Sequence, residues 1–179
     1  MTPGNENIEN DFNRSIMIAL AIVGMAIGIA LPMFAYIQLQ GIFPEISDPG
    51  DRLAFAIKWM CFPVLALVAG MGAIGAGRIF SEYADGSTPP VGTRLELHRR
   101  YMQNTVEQLL IFIPTQLALV TLLPADRLAV IPVWAVLFLV ARILFWAGYI
   151  KNPMYRSLGI MMVVPNQFAA LFILFQIVM

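Results

Sequence analysis

The stretch "HRRYMQNTVEQLLIF", residues 98–112, begins with three basic side chains and ends in hydrocarbon. Arg100, Asn104 and Glu107 lie within it at spacings of four and three. On an α-helix, positions i, i+4 and i+7 share a face, so the three form one stripe. The stripe runs into Gln108–Ala125, which carries no Asp, Glu, Lys or Arg. A guanidinium, an amide and a carboxylate at the mouth of an apolar segment need one another, or a ligand, because bare charge in hydrocarbon is costly.

The rest of the chain sets the same problem. Of 179 residues, 59% are hydrophobic and 12% charged. Soluble domains carry about 25% charged residues, so this is a membrane protein. Ser15–Pro44, Trp59–Gly77 and Ser157–Met179 are also free of charge, and Leu128–Ala141 continues past Arg142 into "ILFWAGYI". A spanning helix needs roughly 20 mostly apolar residues. Five spans fit, at about 16–40, 56–80, 100–123, 128–150 and 155–178. Backbone groups in hydrocarbon must bond within their own segment, so the expected fold is an all-α integral membrane bundle. Short loops join the spans and predict one bundle without internal repeats. The N-terminus "MTPGNENIENDFNR" lacks a basic leader region, so the first span reads as a retained helix. Net charge is zero, which speaks against nucleic acid as a partner.

Lysine and arginine bias the orientation. Arg14, Arg78, Arg94, Arg99, Arg100, Arg142, Lys151 and Arg156 fall on one side; Arg52, Lys58 and Arg127 fall on the other. The expected topology places the N-terminus in the cytoplasm and the C-terminus outside, in a bacterial inner membrane or an endomembrane. In that topology Arg78 ends the second helix, and Arg100, Asn104 and Glu107 begin the third. Arg142 and Tyr149, seven apart, share a stripe near the end of the fourth, and Arg156 opens the fifth. Four helices thus bring polar groups to one membrane level, and the first brings none. Glu107 with Arg142 is the expected ion pair. His98, the single histidine, reads as a surface residue, and with one histidine no metal site is expected. Cys61 reads as a small core hydrophobe. "AGMGAIGAG", residues 69–77, predicts close helix packing rather than a nucleotide loop. Pro32, Pro63, Pro114, Pro132 and Pro165 read as kinks tolerated in membrane helices.

Arginines, an amide, a phenol and a carboxylate suit a small polyanion that also carries a cation. Glutathione and a phospholipid headgroup both meet that chemistry. Confinement of the charges to one face, away from the midplane, counts against a transporter.

The residues also resemble a family. "RYMQNTVEQLLIF" is similar to the R-x-x-x-N-x-x-E signature of the MAPEG proteins, membrane-associated proteins in eicosanoid and glutathione metabolism. "ARILFWAGYIKNPMYRS" is similar to a later signature of the same family, here Arg142, Tyr149 and Arg156. The resemblance covers roughly 56–179 as a four-helix MAPEG-like domain. Residues 1–55 would then be an N-terminal tail, an extra transmembrane helix and an external loop. It implies a microsomal glutathione transferase-like homotrimer with glutathione as cosubstrate between subunits, facing the cytoplasm. Arg78, Arg100, Asn104, Glu107, Arg142 and Tyr149 would bind glutathione, and Arg156 would be catalytic, stabilising the thiolate. The implied activity is a glutathione-dependent transferase or peroxidase acting on a lipophilic electrophile or lipid hydroperoxide. Gln103, Phe145 and Met161 replace polar or ring donors that several members carry. The alternative is a non-catalytic lipid-binding or assembly protein of the same fold.

Overall fold

The computed structural model describes residues 3–179, with side chains described for 11–176 and 179. Five long helices form an all-α bundle: α1 (Pro3–Gln38), α2 (Pro49–Ile79), α3 (Arg94–Leu122), α4 (Val130–Lys151) and α5 (Ser157–Val178). Each contains a segment long and apolar enough to cross a membrane. A single 3₁₀ turn, Ala125–Arg127, precedes α4, and another, Pro153–Arg156, precedes α5.

Several helices start earlier than hydropathy alone suggests, because polar caps extend them. The Asp48 carboxylate accepts the Asp51 N–H, and Pro49 takes the first turn of α2, where no intrahelical N–H is needed. The Thr93 hydroxyl accepts the Glu96 N–H at 3.2 Å and opens α3 six residues before Arg100. Pro32, Pro63, Pro114 and Pro165 lie inside helices. Pro132 instead falls in the first turn of α4, where its missing N–H costs nothing.

The two ends of the bundle are tied differently. At one end, Arg52 donates to the carbonyls of Ile46 (2.7 Å), Leu123 (2.7 Å) and Val120 (3.3 Å), capping the C-terminal turn of α3. Arg127 donates to the Tyr36 carbonyl near the end of α1. At the other end, the Ser157 hydroxyl donates to the Met17 carbonyl at 3.0 Å, and Asn152 Nδ2 reaches Asn13 Oδ1 at 3.5 Å. The first helix therefore does reach the polar end, as an anchor for the α4–α5 turn.

Helix α4 is central and touches the other four. Two thirds of its apolar window is buried, the most of any span. Phe112 of α3 meets Phe138 of α4 at 4.6 Å in this core. The α1–α5 pair makes the most extensive contact in the bundle. A Cβ on Gly24 would overlap the Leu158 carbonyl, and one on Gly28 would overlap the Met162 carbonyl. This G-x-x-x-G seam brings two backbones together with no room for a side chain. In "AGMGAIGAG", Gly70 lies under the Tyr101 ring and Gly77 under Leu95, so two of its four glycines pack as expected. Gly72 and Gly75 face open space.

Candidate functional site

Arg100, Gln103, Asn104 and Glu107 of α3, Phe145 and Tyr149 of α4, and Arg156 and Ile160 at the start of α5 line one hollow of about 280 Å3. Helix periodicity explains who faces where. At about 100° per residue, Arg100 and Glu107 point nearly the same way, while Asn104 is turned by roughly 40–60°. Asn104 therefore reaches α4, and Arg100 and Glu107 stay on the open side.

Arg142 sits behind the hollow, fully buried. Its Nη1 donates to Asn104 Oδ1 at 3.0 Å and its Nε donates to Thr105 Oγ1 at 3.2 Å. Its guanidinium lies 4.1 Å from the Phe145 ring and 5.4 Å from the Tyr101 ring. Such faces stabilise a cation without hydrogen bonds. Arg142 Nη2 is buried without a partner. Because Arg142 occupies the Asn104 carbonyl, the –NH2 of that amide is left as the free donor. The buried guanidinium thus selects the polarity that Asn104 offers.

The expected Glu107–Arg142 pair does not form. Glu107 is exposed and accepts from Gln103 Nε2 at 2.9 Å. Arg142 points across to Asn104 and Thr105, a direction from which Glu107 is rotated away. Arg100 pairs with Glu96, one turn back on its own helix. Arg156 is exposed, with its guanidinium 5.1 Å from the Tyr149 ring. Arg78 does not join the hollow: it donates to the Tyr83 carbonyl at 2.9 Å and holds the loop after α2. Of the seven residues expected at the site, five line the hollow, Arg142 buttresses it, and Arg78 stands apart.

Two other readings change. His98 is half-buried, and its Nδ1 accepts the Trp146 indole N–H at 3.0 Å. Cys61 is exposed rather than in the core. A larger apolar groove, about 680 Å3, runs between α1 and α4 and shares no lining residue with the hollow.

A family model described as the MAPEG family matches residues 52–178, well over half of the chain. The chain belongs to the MAPEG family. The matched range holds α3, α4 and α5 entire, with nearly all of α2, and leaves α1 outside. Among curated proteins, Transmembrane protein 79 of Bos taurus is 26% identical over 152 residues, covering 82% of this chain and 37% of its own length. Transmembrane protein 79 of Mus musculus is 25% identical over 126 residues, covering 70% of this chain and 32% of its own length. The chain spans about a third of the length of these relatives. No solved structure matches it.

Every residue of the hollow lies inside the MAPEG match. So do polar contacts that sequence reasoning missed. Gln116 Nε2 donates to Asn166 Oδ1 at 2.7 Å, with both residues buried. Gln167 Nε2 donates to Gln108 Oε1 at 3.0 Å. These α3–α5 bridges are uncharged, so a search for charges passes over them. Their signal was amides inside otherwise apolar helices.

Proposed function

We propose that this MAPEG protein is a glutathione-dependent transferase or peroxidase acting on a lipophilic electrophile at the membrane interface. The observation that carries the reading is the hollow, where Arg100, Asn104, Glu107, Tyr149 and Arg156 converge from three helices. Their chemistry suits glutathione, with its two carboxylates, one ammonium and one thiol. Arg100 meets a carboxylate, the Asn104 –NH2 donates to a second acceptor, and Glu107 takes the ammonium. Arg156 lies by the thiol. Arginine stays protonated and serves as a fixed positive charge, not as a base. Lowering a thiol pKa by two units takes about 2.7 kcal/mol of preference for the anion, within reach of one close cation in a partly dry site. The thiolate then forms a C–S bond as the electrophile's leaving group departs with the bonding pair.

The open side of the hollow supports an oligomer. Arg100, Gln103 and Glu107 are exposed along α3, and charge at membrane depth needs a polar partner. In a homotrimer, a neighbouring copy closes this side and brings its own Arg78 towards the hollow. The excess of Lys and Arg at this end supports a cytoplasmic side that it shares with the N-terminus.

Phe145 favours a second reading. It puts an apolar face in the hollow at the position where several members carry a ring donor. A non-catalytic member would use the same groups to hold a lipid headgroup or an assembly. Thiolate absorbance separates the two. The enzyme reading expects a thiolate band when glutathione saturates the protein, lost in Arg156→Ala with the fold intact. Saturation without that band, or a band unchanged in Arg156→Ala, removes Arg156 from the chemistry.

A further inference from the structure

The aromatic wall of the hollow continues into the bundle and ends at the single histidine. Tyr149 lies 5.7 Å from Phe145, and Phe145 lies 5.9 Å from Tyr101. Tyr101 stacks on Trp146 at 4.6 Å with the rings 15° from parallel. Trp146 meets His98 edge-on at 5.4 Å. The far edge of Tyr101 is fixed, since its hydroxyl donates to the Ala66 carbonyl of α2 at 3.1 Å.

Arg142 depends on this wall. Only two of its hydrogen bonds hold it, and Nη2 has no partner. The Phe145 and Tyr101 faces supply the remaining support. Trp146 backs Tyr101, and His98 fixes Trp146. We propose that Trp146 is a positioning residue for the Arg142 guanidinium, held in place by His98 only while that imidazole is neutral, so that acid loosens the hollow. The inference rests on the reading of the hollow as a glutathione site and adds its regulation by protons.

Hydrogen-bond chemistry gives the direction. An indole N–H only donates, and a neutral imidazole offers one acceptor nitrogen where an imidazolium offers none. Protonating Nδ1 would set two donors against each other at 3.0 Å. Trp146 then leaves its partner and Tyr101 loses its backing. Arg142 shifts, and with it the end of the Asn104 amide that faces the ligand. The groups around His98 are few. Arg94, one turn back on α3, and Thr93 share a small hollow with it, and Ile150 of α4 closes the other side. Arg94 stays charged throughout the range in which a histidine titrates, and Thr93, Ile150 and Trp146 do not titrate there.

The test uses S-methylglutathione, whose blocked thiol removes the ligand's own titration, and the full chain in detergent. Wild type is expected to lose about fivefold in affinity between about pH 8 and about pH 5, the low end of ordinary coupling between sites. His98→Gln accepts through its amide oxygen and does not titrate, so its affinity should stay high across that range. His98→Leu should be weak throughout. In parallel, protein labelled with fluorotryptophan reports the clamp without any ligand. The Trp146 resonance, assigned by its loss in Trp146→Phe, should move with the histidine titration in wild type and stay still in His98→Gln. A Trp146 resonance indifferent to pH, or the same pH dependence in His98→Gln as in wild type, overturns the proposal. Failure of S-methylglutathione to bind at any pH overturns the functional reading instead, while the resonance still decides the clamp.

Discussion

Helix α5 meets two unlike neighbours. Along α1 it is joined by glycine, with Gly24 and Gly28 laid on the carbonyls of Leu158 and Met162 and no side chain between. Beside α3 and α4 its first turn opens onto a hollow of charged and hydrogen-bonding groups. The first seam is dry backbone contact, which in lipid must be driven by packing because tails are as apolar as leucine. The second is polar and partly open, which stabilises little by itself but leaves groups free to bind. Stability should therefore reside in the glycine seam and function in the hollow, and substitutions should separate the two.

The largest effect is expected from Gly24→Val with Gly28→Val. Overpacking costs about 1–3 kcal/mol per site, which for a chain of this size lowers the melting temperature by roughly 10 °C. Glutathione affinity in the surviving folded protein should change less than about twofold, and a larger loss would tie the two regions together. Next is Arg142→Leu, which removes the lock on Asn104 and two charge-assisted bonds. Calorimetry should show affinity down about thirtyfold, about 2 kcal/mol. Glu107→Ala follows, with affinity reduced about tenfold, or 1.4 kcal/mol. Its folded yield should match wild type, because within a protomer Glu107 is exposed and, among the described residues, its hydrogen bond is to Gln103. A fall in yield would return Glu107 to a buried pairing role. The smallest effect is the coupling between Gln116 and Asn166. A double-mutant cycle to leucine should give about 0.6 kcal/mol, the usual worth of an interhelical bond in a membrane protein. A coupling several times that size would make this buried bridge a stability centre rivalling the glycine seam.

Charge and length made the fold legible. Five uncharged stretches gave five helices, and the i, i+4, i+7 stripe of Arg100, Asn104 and Glu107 led to the hollow. What the sequence concealed was rotation and distance. The Glu107–Arg142 pairing failed because a shared helix face spans tens of degrees, enough to send Asn104 across to α4 and leave Glu107 outside. The direction of Arg78 was hidden for a similar reason, since a helix end does not say which way its side chain turns: within one protomer it reaches the Tyr83 carbonyl. The Gly24–Gly28 seam had a visible motif, but it lies in the uncharged stretch of α1, where no charged group marks a contact. His98 looked like surface because its partner, Trp146, lies 48 residues away.

The most direct test is isothermal calorimetry of glutathione against the purified, detergent-solubilised protein, with wild type, Asn104→Leu and the glycine double variant side by side. The account predicts saturable binding to wild type, binding weakened at least about tenfold in Asn104→Leu, and near-normal binding in the glycine variant. No heat of binding to folded wild type, or equal affinity in Asn104→Leu, would contradict it.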